Sequence, residues 1–163
     1  VTAVLLVEPD GAQGRVAPSE MEFAYDSSRL RRTREILLWA EFAVTPAAPD
    51  DLRRRARESL AYRKRTQPLA LPSAGCVFQN PDPARDVLPA GMPPSAGALV
   101  DRAGLKGHRI GGARISPAHA NFVVNEGGAT ARDVRALVDT ARAAVRDQFG
   151  VVLRDEVVYV GEF

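Results

Sequence analysis

Val4 to Val7 is a short apolar run rich in leucine and β-branched residues, followed by Asp10-Gly11 and then Arg15-Val16-Ala17. This pattern predicts a hairpin whose first strand is largely buried. Residues 19 to 24 read as a short connection. EILLWAEFAV, filled with aromatic and branched residues and stopped by TPAAP, predicts a strand. Asp50 is placed to cap a helix running to about Thr66, with Leu52, Ala56 and Leu60 along one side, and QPLALP ends it.

PSAGCVFQNP, residues 72 to 81, reads as a loop, and DPARDVLPAGMPPSAG after it is too rich in proline and glycine for regular structure, so an exposed excursion is expected. Ser95 is placed to cap a short helix carrying Leu99 and Val100 and closed by Gly104. The periodicity is clearest near the end. Thr130 and Asp133 form a helix start, and Val134, Leu137, Val138, Ala141 and Val145 recur at helical spacing until Gly150. A final alternating segment, EVVYV, reads as a strand entering the core. Strands and helices mix irregularly, so the fold class is α+β. TPAAPD has the composition of a linker, which puts a boundary near residues 45 to 50.

Composition narrows the classes. With 163 residues and 45% hydrophobic content the chain can bury a real core. Its single cysteine excludes an internal disulfide, and two histidines with one cysteine are too few for a zinc site, so no metal is expected. The formal charge of +2 does not demand nucleic acid. No apolar run approaches a membrane span and the start lacks a signal peptide, so a soluble cytoplasmic protein without a membrane partner is expected. The chain opens at Val1 on strand-like sequence, which points to a fragment or processed product.

The candidate chemistry starts with Cys76. A lone cysteine is ordinarily a buried, inert residue. A thiol is also a serviceable proton donor at neutral pH; as a nucleophile it needs an imidazole, for which only His108 and His119 are available. His119, with Asn121 in RIGGARISPAHANFVVN, reads first as a hydrogen-bonded residue organising the turn before a strand. The Gly111-Gly112 pair in the same stretch is a weak sign of backbone amides near a phosphate. Glu156, before EVVYV, is either solvated or an acid whose pKa burial raises. The arginine runs RLRRTR, RRRAR and YRKR read as solvated surface in a chain without the interleaved aromatics of a nucleic-acid platform, so no nucleic-acid partner is expected. A nucleotide-sugar diphosphate needs fewer charges, and Arg63 and Arg65 beside PSAGCVFQNP suit one.

Taken together, YRKRTQPLALPSAGCVFQNP, SAGALVDRAGLKGHRIGGARISPAHANFVVN, GGATARDVRALVDTARAAVRDQFGVVL and DEVVYVG resemble the UDP-N-acetylenolpyruvoylglucosamine reductases, the MurB family, in its shorter type II branch. The resemblance spans nearly the whole chain in order. It implies that NADPH reduces FAD and that the flavin passes hydride to UDP-N-acetylglucosamine enolpyruvate, giving UDP-N-acetylmuramate for peptidoglycan. Cys76, after Gly75, falls where the family's serine or cysteine protonates the neighbouring carbon. Glu156 falls on the glutamate that stabilises the enolate-like intermediate or relays its proton. Arg63 and Asn80 fall near flavin or substrate phosphates, and His119 and Asn121 lie in a matching stretch.

Two departures accompany it. Tyr25 matches the family's tyrosine-arginine pair, but Asp26 stands in place of arginine, and Thr66 occupies a frequent lysine position. The chain also enters partway through the flavin domain, with residues 1–48 its end and 49–163 the substrate-binding domain. It is therefore expected not to bind FAD tightly alone, and to work with a separate or upstream flavin-binding segment. A noncatalytic UDP-sugar-binding remnant or interaction module is the second reading.

Overall fold

Leu5 and its neighbours form β1 (Ala3–Val7), which turns at Asp10-Gly11 into antiparallel β2 (Gln13–Val16). Gly11 takes φ 89° at the turn, and the Asp10 carboxylate accepts the Ala12 N–H at 2.9 Å. β3 (Ile36–Glu41) pairs antiparallel with the other edge of β1, so the order is β2-β1-β3. Ala3, Val4 and Leu6 of the central strand are buried, as expected. The connection after β2 is more than a link: Pro18–Met21 forms a 3₁₀ turn that drops Met21 into the small core with Val4 and Leu6.

α1 (Pro49–Thr66) begins one residue before Asp50, with Ala48 O accepting the Leu52 N–H. Proline suits the first helical position because it lacks an N–H, so Asp50 and Asp51 sit in the first turn facing the positive end of the dipole. Leu52 and Leu60 are half-exposed, and none of α1's residues is buried.

β4 (Ser73–Cys76), α2 (Ala96–Arg102), β5 (Arg109–Ile110), β6 (Ala113–Ile115), β7 (Phe122–Asn125) and α3 (Ala131–Phe149) follow. The four strands form an antiparallel sheet in the order β4-β7-β6-β5. α3 starts on a reciprocal cap between Thr130 and Asp133, 3.1 and 2.9 Å, and closes at Gly150 with φ 70°. Its Leu137, Val138, Ala141 and Val145 are buried, each larger side chain contributing about 1.5–3 kcal/mol of burial. Ser95 Oγ accepts the Ala98 N–H at 3.3 Å and caps α2, whose Leu99 and Val100 join the same core.

The computed structural model describes residues 1–162 and divides into two compact units, Val1–Leu52 and the chain from Arg53 onward. Each mixes helix or 3₁₀ turn with antiparallel sheet, an α+β construction. No helix among the described residues is long and apolar enough to cross a membrane.

Three expectations change. PSAGCVFQNP is not a loop throughout: its first half is β4, an edge strand. The excursion at 82 to 95 lacks regular structure but is not simply exposed, since Met92 enters the core and Asp86 pairs with Arg154 through two bonds of 3.1 and 3.0 Å. EVVYV forms no strand in the described residues. It contacts the sheet's end through a single bridge, Asp155 to Phe78, after which the Glu156 and Val157 N–H groups both point to Val77 O at 2.9 and 3.5 Å. Two donors on one carbonyl is bulge geometry, which turns the chain off the ladder. Val158 and Val160 are 77% and 85% exposed.

Candidate functional site

Gly75 is the local cause of the site. It takes φ 93°, its N–H donates to Ser73 Oγ at 3.0 Å, and the pairing of β4 with β7 shifts register between Ser73 and Cys76. A side chain at φ 93° is strained, so glycine makes this bulge. Beyond it Cys76 sits half-buried opposite Phe122.

Burial pushes the Cys76 thiol up, the charge of Glu156 pushes it further, and a hydrogen bond from Asn121 partly offsets both. The fold thus brings Cys76, Asn121 and Glu156 into one cluster. Neither histidine is among the groups that shift the thiol. A thiol held above its usual pKa stays protonated at neutral pH, which suits a proton donor and disfavours a thiolate nucleophile.

Asn121 is buried and acts as a strand mimic: Oδ1 accepts the Phe78 N–H at 2.9 Å and Nδ2 donates to Phe78 O at 2.8 Å. Glu156 is placed by its own backbone, through the bond to Val77 O. Asn80 does a structural task, accepting the Ala96 N–H at 3.1 Å where α2 begins. His119 organises its turn: Nδ1 accepts the Asn121 N–H at 3.2 Å and the ring meets Phe122 edge-on, 4.9 Å between centroids. Burial, then the Lys106 charge, lowers its pKa, so it is neutral at pH 7.

Arg63 lies in the last turn of α1 and donates to Gln67 Oε1 at 3.2 Å, not to the cluster. Tyr25 belongs to the other unit, at the tip of a tight turn closed by Ala24 and Ser27, and is 71% exposed. Its neighbour Asp26 takes φ 48° and pairs with Arg31 at 3.0 Å, while Arg29 is engaged by Glu35.

The glycine pair does not offer its amides to a phosphate. The Asp133 carboxylate lies 2.5 Å from where a Gly111 side chain would begin, and its bonds to the Thr130 backbone and side chain, then a Gly112 amide bond, hold that carboxylate below its usual pKa. An anion already there repels another. Gly112 is instead required by close packing on the backbone of residues 127–129. Among the described residues no group of histidine, cysteine or carboxylate side chains is arranged to hold a metal.

Beside β4 runs a mostly apolar groove of about 630 Å³, lined by Ala74, Gly75, Val77, Val134, Val157 and Tyr159 among others. Local patterning did not signal its far wall, which forms through tertiary contact, or the bond from the Gly75 N–H to Ser73 Oγ that supports the bulge. The reciprocal Thr130/Asp133 spacing was visible; that Asp133 also fills the glycine turn was not.

The family model for the UDP-N-acetylenolpyruvoylglucosamine reductase C-terminal domain matches residues 67–160. The chain is 42% identical over 157 residues to the UDP-N-acetylenolpyruvoylglucosamine reductase of Heliobacterium modesticaldum, covering 96% of this chain and 47% of that one. It is 39% identical to the protein of that name from Bacillus licheniformis, covering 99% and 83%. It also matches the crystal structure of UDP-N-acetylenolpyruvylglucosamine reductase from Thermus caldophilus with a TM-score of 0.74 and 35% identity, covering 96% of this chain and 52% of that one. The chain spans about half the length of most of these relatives.

Proposed function

Because the chain belongs to the UDP-N-acetylenolpyruvoylglucosamine reductase family, we propose that it supplies the protonating, substrate-binding part of such a reductase. The reaction is reduction of UDP-N-acetylglucosamine enolpyruvate to UDP-N-acetylmuramate, in the cytoplasm, for peptidoglycan. One observation carries this reading: a half-buried thiol on the β4 bulge, with Glu156 bonded to the carbonyl of the next residue, Val77, where burial and then the Glu156 charge push the thiol's pKa up. Saturating the enolpyruvyl double bond takes a hydride at one carbon and a proton at its neighbour. Cys76 gives the proton, and the thiolate left behind is reprotonated by a proton that Glu156 takes from solvent and passes on. Because Glu156 disfavours the thiolate, it also drives that reprotonation.

In this reading FAD, reduced by NADPH, supplies the hydride. The described residues offer it no phosphate cradle at the glycine pair, where Asp133 already sits, so no residue here is assigned to hold the dinucleotide. We assign residues 1–48 to the end of the flavin domain and 49–163 to the substrate domain, with Gly75 leaving space beside the thiol. Nothing lies within 4 Å of where a Gly75 side chain would begin. We read Asn121 and His119, from their bonds to Phe78 and to the Asn121 N–H, and Asn80, from its bond to the Ala96 N–H, as positioning residues, and keep Arg63 and Tyr25 as candidates for the substrate's anionic groups.

The test joins this chain to the flavin-binding half of a relative and follows NADPH oxidation dependent on the enolpyruvyl UDP-sugar. Cys76→Ser is expected to keep measurable turnover, and Cys76→Ala to lose about 10²–10⁴-fold while NADPH still reduces the cofactor. Equal turnover in Cys76→Ala and wild type removes the thiol from the reaction. The second reading, a noncatalytic UDP-sugar-binding remnant, draws on one observation: Arg31 and Arg29, the cations near Asp26, are engaged by Asp26 and Glu35. Substrate binding with no turnover in the joined protein supports it.

A further inference from the structure

Glu156 lies on a segment without regular secondary structure, anchored to the sheet by one bridge, and its N–H donates to the carbonyl of Val77, the residue after Cys76. A carboxylate on such a segment is useful only if something holds the segment still. The guanidinium of Arg142, on α3, is in position to do that. It donates from Nε to Leu153 O at 3.3 Å, from Nη1 to Asp139 Oδ1 at 2.6 Å and from Nη2 to the Asp155 carboxylate. It also lies over the Phe78 ring, 5.8 Å from the centroid.

These contacts converge on the two stretches that carry the cluster. Asp155 precedes Glu156 and bridges Phe78, which lies two residues beyond Cys76. One planar, multiply donating group therefore ties the carboxylate's segment and the thiol's strand end to the same rigid helix. On the other side of the segment, Arg154 is pinned to Asp86. The tie is local, because the chain beyond it is exposed at Val158 and Val160.

We propose that Arg142 is a positioning residue for the protonation step, fixing Glu156 against the Cys76 thiol through Asp155. This rests on the reading of Cys76 and Glu156 as the proton-donating pair. Arg142 acts through Asp155 and not on the reacting atoms. A merely structural ion pair predicts something different, and the sign separates the two. Loss of the Arg142 positive charge by itself leaves the thiolate less favoured, whereas loss of its hold lets the Glu156 charge move away and leaves the thiolate more favoured.

Cys76 is the only cysteine, so its alkylation by iodoacetamide as a function of pH reads the thiol directly. In Arg142→Gln the thiol is expected to titrate lower than in wild type, as in Glu156→Gln, with alkylation at pH 7.5 about two- to threefold faster. Arg142→Lys is expected to restore most of the wild-type profile, and Arg142→Gln to add nothing in a Glu156→Gln background. An unchanged or upward titration in Arg142→Gln overturns the proposal, as does an equal downward change in the Glu156→Gln background. If Arg142→Gln melts below the assay temperature, Asp155→Asn breaks the same tie, and its effect must likewise vanish in Glu156→Gln. Alkylation needs neither flavin nor substrate. A shifted thiol together with an active Cys76→Ala enzyme therefore sinks the proposed function and leaves the positioning intact, and the reverse pair of results sinks only the positioning.

Discussion

β3 and α3 carry apolar runs of comparable strength, and they end in opposite environments. Ile36, Leu37, Leu38 and Trp39 are 41–63% exposed, whereas Leu137, Val138, Ala141 and Val145 are at most 2% exposed. α3 has a four-stranded sheet and α2 to pack against. β3 has one strand neighbour, and the buried residues of its unit are Ala3, Val4, Leu6 and Met21. Apolar periodicity therefore selects the element, and a second layer decides whether its side chains leave water. The unit from Arg53 onward has that layer; Val1–Leu52 scarcely does.

The sharpest test of this contrast is a pair of truncations. Leu137→Ala removes a fully buried side chain from a closed core and is expected to cost about 3 kcal/mol, transfer and cavity included. Leu38→Ala, at 49% exposure, is expected to cost less than about 1 kcal/mol. Urea unfolding of both variants measures the difference. Equal costs would mean that β3 is covered in solution by something beyond its own unit.

Next in size is a difference in cooperativity. Trp39 is the only tryptophan and lies in β3, so its fluorescence reports on Val1–Leu52, while far-UV circular dichroism is dominated by α3 and most of α1. The fluorescence midpoint is expected about 1 M urea below the dichroism midpoint. Coincident transitions would show the two units unfolding as one.

The same contrast explains what was legible in the chain. α3 was readable because cap, period and terminating glycine all lie within one local window. The hairpin of β1 and β2 was readable from Asp10-Gly11 for the same reason. PSAGCVFQNP misled because glycine and proline ordinarily punctuate loops, while here the positive φ of Gly75 is the bulge itself. EVVYV misled because alternation names a strand but not its neighbour, and the two bonds to Val77 O end the ladder early. The proximity of Cys76 to Glu156 lies across 80 positions of sequence, beyond any local spacing; family resemblance suggested their joint role, and the fold supplies the encounter. Arg142 carried no local signal, because its partners Leu153 and Asp155 are brought to it by the fold.

The smallest expected effect concerns acid, and it probes both units with one kind of group. In the larger unit Arg154, then the Asp82 N–H, hold the Asp86 carboxyl below its usual range; in the smaller, Arg29 and then Thr33 do so for Glu35. A carboxyl depressed on folding adds stability that is present above its unfolded pKa, about 3.9 for aspartate and 4.3 for glutamate. That stability fades as pH falls through the lower folded value. Asp86→Asn is therefore expected to cost about 1 kcal/mol or less at pH 7, because the pair is partly solvated, and progressively less as pH falls below about 4. Its effect should appear in the dichroism transition and not in Trp39 fluorescence, and Glu35→Gln should show the opposite preference. A pH-independent cost for Asp86→Asn would mean that its bond to the Asp82 N–H, and not its charge, is what the fold uses. If Asp86→Asn moves both transitions together, the two units share one cooperative unfolding, and the contrast between β3 and α3 is one of exposure alone.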